Sequence, residues 1–188
     1  MVYLDENIWG FDLEAALLNI SDQRRDYALK IRHELGRRQS VLAYLLLKKG
    51  LLNEYGLDVN PEFSFGEHGK PVLTDFPSIH FSLSHCREAV ICAVSDHPVG
   101  VDIESVGRYK ESVVRYSMND DEQLRILEAE QKDVAFARLW TMKEACVKMT
   151  GEGLQTGVKD ILVDNGYSFT TVVDPLQRFV YSLCFQRR

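Results

Sequence analysis

The sequence predicts a mixed α+β protein made of two similar α/β lobes. Each half of the chain begins with helical patterns and ends with strand patterns, and a polar stretch over 105–119 separates the halves. The 188 residues are enough for two small hydrophobic cores. We therefore expect an N-terminal lobe over 1–105 and a C-terminal lobe over 106–188.

Helical patterns dominate the first third of the chain. An apolar segment over 13–20 is too short to distinguish a helix from a strand. Ser21 is a favourable N-cap for a helix that continues to about residue 33. A longer helix is predicted over about 37–55, because leucine and valine recur there at helical spacing.

The rest of the N-terminal half reads as β structure. A short strand is predicted over 62–65, followed by a loop over 66–71 that contains two glycines and a proline. Polar and apolar residues alternate over 79–84, as in a half-buried strand. A nearly continuous apolar run over 89–94 predicts an interior strand, and one more strand is predicted over 99–104.

The C-terminal half repeats this order. Asn119 precedes three acidic residues, so we expect a helix to begin there. A further helical pattern starts at Asp133 and ends where Gly151 and Gly153 disfavour more turns. Strand candidates at 161–163, 167–173 and 179–185 and a hairpin signal at Asn165-Gly166 close the chain.

Composition and charge exclude several classes of function. The net charge of −6 argues against general nucleic-acid binding, which needs a basic surface. No apolar run is long enough to cross a bilayer, and the first residues lack the layout of a secretory signal. We therefore expect a cytoplasmic protein. The four cysteines lack zinc-type spacing and are expected to be reduced thiols.

Two acids share one side of the strand predicted over 99–104. Asp102 and Glu104 alternate with apolar residues, so both carboxylates project from the same face. One interpretation is a solvated face. The sharper alternative is a cation bound between the two acids, because like charges at this spacing repel each other.

A second chemical group lies on the helix that Gly151 terminates. Trp140, Glu144 and Lys148 are four residues apart and therefore project from one helical face. One interpretation is a surface ion pair worth about 0.2–0.5 kcal/mol, with the tryptophan in the core. The other is that this face meets the two strand acids. Carboxylates with nearby cations suit Mg²⁺ and a phosphate-bearing substrate.

Four motifs, in this order, favour the second interpretation. They are Gly69-Lys70-Pro71, Phe81-Ser82-Leu83-Ser84-His85, Gly100-Val101-Asp102-Ile103-Glu104 and Trp140-Thr141-Met142-Lys143-Glu144-Ala145-Cys146-Val147-Lys148. Together they resemble the 4′-phosphopantetheinyl transferases, most closely the Sfp type, over a span from about Arg38 to Leu154. The resemblance implies two lobes related by a pseudo-two-fold, an active site in the cleft between them, and a monomer.

The resemblance also implies a reaction. Enzymes of this family transfer the 4′-phosphopantetheine group of coenzyme A to a serine of an apo acyl or peptidyl carrier protein and release adenosine 3′,5′-bisphosphate. By motif position, Asp102, Glu104 and Glu144 would be the Mg²⁺ ligands. The implied catalytic residues are Glu144 as the base, Lys148 for the diphosphate and leaving group, and His85. The implied coenzyme A contacts are Arg38, Lys70, Ser84, His85, Asp102 and Lys148, with Arg24 as a further candidate for the nucleotide end.

Two positions depart from the pattern of the family. Ser82 stands where Asn is frequent, and Cys86 stands where Ser is frequent. Both flank the implied phosphate contacts and therefore bear on fine positioning. The carrier protein is expected to dock on the connection between the lobes, at Val113, Val114, Arg115, Tyr116 and Met118.

Two other classes of function stay open at this point. One is a non-catalytic homologue that binds coenzyme A or carrier proteins without turnover. The intact set of Asp102, Glu104, Glu144 and Lys148 argues against it, since a binding protein has no need of all four. The other is an unrelated Mg²⁺-dependent phosphohydrolase, which acids on a strand and a helix would also serve.

Overall fold

The computed structural model describes residues 1–66, 68–153, 157–163 and 166–187. Within them the helices are α1 (Leu13–Leu17), α2 (Asp22–Lys30), α3 (Glu34–Tyr55), α4 (Glu111–Ser117), α5 (Asp120–Glu128) and α6 (Lys132–Thr150), with a 3₁₀ turn at Val158–Asp160. The strands are β1 (Val2–Asp5), β2 (Phe63–Phe65), β3 (Pro71–Leu73), β4 (His80–His85), β5 (Val90–Ser95), β6 (Val99–Ser105), β7 (Tyr167–Val173) and β8 (Phe179–Gln186). None of the helices that these residues form is long and apolar enough to span a membrane.

The N-terminal part packs α3 on an antiparallel sheet with the strand order β1-β5-β4. The central strand β5 is a buried apolar run, as its sequence predicts for an interior strand. Tyr44, Leu47 and Leu51 of α3 are fully buried in the same core as the apolar side chains of β5. β2 and β3 form a separate antiparallel pair.

The C-terminal part packs α6 on a second antiparallel sheet with the order β6-β8-β7. The helix comes closest to the sheet at Gly100 of β6, where a Cβ atom would lie 1.8 Å from the carbonyl oxygen of Ala145. Only glycine permits this approach. The strand that carries Asp102 and the helix that carries Glu144 are therefore held in direct contact.

The two sheets meet along β4 and β6 through side chains. The Val101 N–H donates to Ser82 Oγ at 3.0 Å, and the Ile103 N–H donates to Ser84 Oγ at 3.3 Å. Because β6 is the edge strand of its sheet, these N–H groups need another acceptor, and the serines of β4 supply it. The end of β4 is thereby placed beside the middle of β6.

The helix ends agree with the predicted capping signals. The segment over 13–20 contains the helix α1, whose start is capped by the Asp12 side chain accepting from Ala15 N–H. Asn119 and Glu122 form a capping box at the start of α5. Gly151, at φ 79°, ends α6 in the left-handed region where glycine is favoured.

Several predicted elements differ from the structure. The polar connection over 105–119 contains the helix α4, whose apolar residues are too few to show a clear helical pattern in the sequence. The strand predicted over 161–163 is wrong, because these residues form a turn after the 3₁₀ helix. Neither β1 nor β3 was predicted, since each is short and lacks clear alternation. In the predicted hairpin signal, Asn165 lies outside the described residues.

The mixed α/β character agrees with the predicted fold class. The division into lobes at 105/106 stays a prediction. β6 lies just before this point in the chain and pairs along its whole length with β8 of the C-terminal part. A strand from one side of the predicted boundary is therefore built into the sheet of the other side.

Candidate active site

A cavity of about 650 Å³ opens between α2, α3, the end of β4, the middle of β6 and one face of α6. It is lined by Arg24, Tyr27, Ile31, Gly36, Ser40, Ala43, Leu83, Ser84, His85, Asp102, Ile103, Glu104, Trp140, Glu144 and Lys148. Six of the eight residues that the motifs predicted for the site are in this set. The structure therefore brings most of the predicted chemistry to one place.

Asp102 lies at the centre of this group and is only 4% exposed. Its Oδ1 atom accepts from Lys148 Nζ at 2.6 Å and from Ser84 Oγ at 2.8 Å. Its Oδ2 atom is buried and has no hydrogen-bond partner among the described residues. The side chain is therefore not on a solvated face, and one of its oxygens is left for another ligand.

Ser84 holds this arrangement together. Its hydroxyl donates to Asp102 and accepts from Lys148 Nζ at 2.8 Å and from the Ile103 N–H. A hydroxyl has one donor and two acceptor positions, so all three are used. In this arrangement Ser84 orients the acid and the lysine.

The other two acids repel each other and Asp102. Burial raises the pKa of Glu144 to about 7, and the charge of Asp102 contributes to this rise, against the opposing charge of Lys148. Burial also raises the pKa of Glu104, with Asp102 adding to the effect and Arg108 opposing it. Glu104 Oε2 accepts from Arg108 Nη1 at 2.7 Å. Such a cluster of acids is stabilised when a cation joins it.

The helical stripe of α6 faces the cavity. Trp140, Glu144 and Lys148 all line it, as their spacing of four residues predicted. Lys148 reaches across to Asp102 on β6, so the interpretation as a simple surface pair along the helix does not hold. Trp140 stacks on Phe136, with ring centroids 6.0 Å apart, and is only partly buried. It supports the helix and also forms part of the cavity wall.

The donor set fits a hard cation, although the side chains are not gathered around one point. No three His, Cys, Asp or Glu side chains in the described ranges lie close enough together to hold a metal ion. Asp102, Glu104 and Glu144 nevertheless share the cavity, and the Oδ2 atom of Asp102 lacks a partner within the described part of the chain. Carboxylate oxygens are the ligands that Mg²⁺ prefers. The chemistry of these residues is therefore compatible with Mg²⁺.

His85 and Lys70 line two different cavities that meet at Lys148. His85 ends β4 at the rim of the cavity, and burial together with the charge of Lys148 lowers the pKa of its imidazole. Lys70 does not line the main cavity. It lines a smaller one of about 270 Å³, which shares Leu83 and Lys148 with the first. Lys70 Nζ donates to the Met149 carbonyl at 2.6 Å, at the end of α6.

Arg38 is not brought to the cavity. Its guanidinium donates to Glu34 at 2.9 Å and to the Phe11 carbonyl at 3.1 Å, and it lies 4.8 Å from the centre of the Trp9 ring. These partners hold the side chain at the junction of α3 with the N-terminal segment. The predicted contact of Arg38 with coenzyme A has no support in this geometry.

Arg24, the further candidate for the nucleotide end of coenzyme A, is brought to the cavity. It lines the cavity, its Nη2 atom donates to the Ser40 carbonyl at 2.6 Å, and burial lowers its pKa. Ser40 Oγ is buried without a partner among the described residues. Ser40 was missed by the sequence analysis. Its position one helical turn after Gly36 and one turn before the buried Tyr44 was the available signal.

The two departures from the family pattern have structural roles. Ser82 bonds the backbone of β6 at Val101, and of the two cavities that meet at Lys148 it lines the smaller one. Cys86 is buried at the turn after β4, where its carbonyl accepts from Gln39 Nε2 at 2.6 Å, and burial raises the pKa of its thiol to about 11. All four cysteines are free thiols.

The predicted docking surface needs a correction. Val114 and Met118 are buried in a small core with Ile126 and Phe136, so they cannot contact a partner. Arg115 and Tyr116 are exposed on the outer face of α4. Alternation of buried and exposed positions follows from the helix that the sequence analysis did not predict.

Comparison with known proteins now adds an independent finding. A family model described as the 4′-phosphopantetheinyl transferase superfamily matches residues 98–182, which include β6, α6 and both acid-bearing motifs. The chain is 34% identical to the 4′-phosphopantetheinyl transferase psf-1 of Bacillus pumilus over 142 residues, covering 74% of this chain and 61% of the relative.

Two further relatives match a larger share of the chain. It is 29% identical to the 4′-phosphopantetheinyl transferase Sfp of Bacillus subtilis, over 81% of this chain and 70% of the relative. It is also 29% identical to the 4′-phosphopantetheinyl transferase gsp of Aneurinibacillus migulanus, over 82% of this chain and 65% of the relative. The chain thus spans about 61–70% of the lengths of these relatives. Its similarity to the superfamily model and to these Sfp-type members confirms the resemblance that the four motifs carry.

Proposed function

We propose that this protein transfers the 4′-phosphopantetheine group of coenzyme A to a serine hydroxyl of an apo acyl or peptidyl carrier protein and releases adenosine 3′,5′-bisphosphate. The observation that carries the proposal is the convergence of Asp102, Glu104, Glu144 and Lys148 on one cavity of about 650 Å³. The residues come from a strand and a helix that Gly100 holds in contact. Similarity to the 4′-phosphopantetheinyl transferases supports the same reaction.

The acids have two tasks in this proposal. Asp102, Glu104 and Glu144 would hold Mg²⁺, which when bound would neutralise charge on the diphosphate. Glu144 would also accept the proton of the carrier serine, directly or through a water. A serine hydroxyl is a weak nucleophile, and a positioned base contributes about 10²–10⁴-fold to such reactions. The mutual repulsion of the acids supports a cation site, since a cation would keep all three ionised.

Lys148 would bind the diphosphate and stabilise the leaving group. Its side chain is 31% exposed and lies at the junction of the two cavities, so a ligand phosphate can reach it. Charge-assisted hydrogen bonds from lysine are a common means of holding phosphate. Ser84 and Asp102 keep the ammonium in place before the ligand arrives.

The far end of the cavity suits the nucleotide of coenzyme A. Arg24, His85 and the Ser40 hydroxyl, which lacks a partner among the described residues, offer a cation, an imidazole and a hydrogen-bonding group to phosphate. The ring of Tyr27 lies 5.1 Å from the Arg24 guanidinium and offers an aromatic face. Lys70 would act from the neighbouring cavity.

The remaining parts of the proposal concern the whole molecule. We propose that the two sheets and their helices are two lobes related by a pseudo-two-fold, with the site in the cleft between them, and that the protein works as a cytoplasmic monomer. The carrier protein would dock beside Glu104 and α4, where Arg115 and Tyr116 are exposed. Carrier proteins are usually acidic along the docking helix, so an arginine beside an aromatic residue is a suitable surface.

Mass spectrometry tests the reaction directly. The protein is incubated with coenzyme A, Mg²⁺ and several apo carrier proteins, and each carrier is then weighed intact. Gain of the phosphopantetheine mass, dependent on Mg²⁺ and abolished by Glu144→Ala, is the expected result. No adduct on any carrier, with coenzyme A bound and intact, would point to a non-catalytic binding protein. Hydrolysis of coenzyme A without an adduct would point to a phosphohydrolase.

A further inference from the structure

Helix α6 carries a second lysine that the proposed site does not use. Lys143 precedes Glu144 in the chain but, at about 100° per residue, projects from a different side of the helix. Its side chain is 0% exposed. Lysine is almost never buried to this extent without specific partners. The partners of Lys143 therefore indicate its role.

Three acceptors surround the Lys143 ammonium. Nζ lies 2.8 Å from Glu122 Oε2, 2.8 Å from the Val158 carbonyl and 3.0 Å from the Lys159 carbonyl. An ammonium has three N–H donors, and each is matched by one acceptor. The acceptors come from the first turn of α5 and from the 3₁₀ turn, so one side chain joins three segments.

Glu122 and Asn119 extend this network. Glu122 Oε2 also accepts from the Asn119 N–H at 2.9 Å, as part of the capping box of α5. Asn119 Nδ2 donates to the same Lys159 carbonyl at 3.2 Å. The start of α5, the middle of α6 and the 3₁₀ turn are therefore bound into one set of directional contacts. Two residues along α6, the Ala145 carbonyl is pressed against Gly100.

We propose that Lys143 and Glu122 are positioning residues, whose buried ion pair sets the rotation of α6 so that Glu144 and Lys148 point at Asp102. This inference rests on the proposed function. The hydrophobic effect is non-directional, so apolar packing fixes the rotation of a helix about its axis less sharply than hydrogen bonds do. Hydrogen bonds lose strength when their angles change, and three of them on one ammonium define a single orientation.

A purely stabilising role does not account for the pair. Buried ion pairs often add no stability over apolar side chains of similar size, because both charges lose their hydration. Apolar residues at positions 122 and 143 together would therefore serve the core as well. The charge is explained by the residues that α6 presents to the cavity, since a small rotation of the helix would move Glu144 and Lys148 together, away from β6.

The test replaces both partners at once. In the double variant E122Q/K143M, Gln keeps an acceptor for the Asn119 N–H and neither charge is left alone. We expect it to fold and to transfer phosphopantetheine about 10–100-fold more slowly, the loss typical of residues that support a metal site. Trp140, one turn before Glu144, reports the orientation of α6. In a Trp9→Phe background, acrylamide quenching of Trp140 should change in the double variant.

A destabilising control separates position from stability. Leu47 is fully buried in α3, in a core that does not include Trp140, and it neither lines the cavity nor takes part in the network. Leu47→Ala should lower the melting temperature while leaving Trp140 quenching and the rate at low temperature unchanged. Unchanged quenching and a normal rate in E122Q/K143M would overturn the inference, as would equal losses in Leu47→Ala. If the unaltered protein modifies no carrier, the proposed function fails, and the Trp140 measurement alone decides the positioning role.

Discussion

Two lysines five residues apart on α6 both pair with an acid, but in opposite surroundings. Lys143 is fully buried, and backbone carbonyls and Glu122 use all of its donors. Lys148 is 31% exposed, and its partner Asp102 lines a cavity, whereas neither Lys143 nor Glu122 lines that cavity. Each acid keeps one buried oxygen without a partner among the described residues, Oδ2 of Asp102 and Oε1 of Glu122. The first pair is closed to ligands and the second is open to them. The same residue types therefore serve structure in one place and chemistry in the other.

Removal of the charge of Asp102, the acid of the open pair, should cause the largest loss of activity. Asp102→Asn keeps the shape of the side chain but removes its charge, so the proposed cation site loses a ligand and Lys148 loses its counter-charge. We expect turnover to fall by about 10²–10³-fold or more, as when preorganised charge is removed from an active site. Turnover is measured by carrier modification at saturating coenzyme A.

The fold should survive this substitution. The circular dichroism spectrum of Asp102→Asn should match that of the unaltered protein. A variant with a near-normal rate and normal Mg²⁺ dependence would contradict the assignment of Asp102 as a ligand.

The free energy of unfolding should depend more on the closed pair than on the open pair. Lys143→Met leaves Glu122 as an uncompensated buried charge, and breaking such a pair costs about 3–5 kcal/mol of the free energy of unfolding. Lys148→Met also leaves a buried carboxylate without its cation, but Asp102 lines an open cavity and keeps the hydrogen bond from Ser84, so we expect a smaller loss of about 1–3 kcal/mol. Urea titration of both variants measures the difference. Equal losses of stability in the two variants would contradict the distinction between a pair that is closed to solvent and a pair that borders a cavity.

Two arginines extend the comparison. Arg24 faces the cavity beside Ser40, whereas Arg38 is held by Glu34, Phe11 and Trp9. Arg24→Ala should raise the dissociation constant for coenzyme A by about 10-fold, the effect of one charge-assisted contact of about 1.5 kcal/mol or more. Arg38→Ala, the matched control, should leave it unchanged. Calorimetric titration of the two variants distinguishes them, and a larger effect at Arg38 would restore the original prediction.

These pairs also show which features of the fold and of the site could be predicted from the sequence. Asp102, Glu104, Glu144 and Lys148 could be predicted because period-two and period-four spacing in a single element places them on one face. The sequence analysis expected these residues to lie together in space because the four motifs, in their order along the chain, resemble one family. The boundaries of the longer strands and of α6 were predicted closely for a similar reason, since apolar periodicity and capping residues are local signals.

The contacts that bury Lys143 and hold Arg38 could not be predicted from the sequence. Lys143 meets an acid 21 positions earlier and two backbone carbonyls about 15 positions later, and no pattern in the sequence encodes a contact with a carbonyl. Arg24 and Arg38 are both basic residues near helix starts. Only the packing of Trp9 and Phe11 decides which of them is held away from the cavity. The helix α4 was missed because its buried residues are few.

The smallest expected effect concerns the surface of α4, where buried and exposed residues alternate. Tyr116 is 76% exposed, whereas Val114 is buried in the core with Ile126. If the carrier docks here, Tyr116→Ala should raise KM for the carrier about 3–10-fold, since truncation of an exposed aromatic at an interface costs about 1 kcal/mol or more. Turnover at saturating carrier should stay unchanged, because the tyrosine does not line the catalytic cavity. Val114→Ala should instead lower the melting temperature without changing KM. An unchanged KM in Tyr116→Ala would move the docking surface to another face, while a loss of turnover at saturation would mean that α4 is coupled to the open pair.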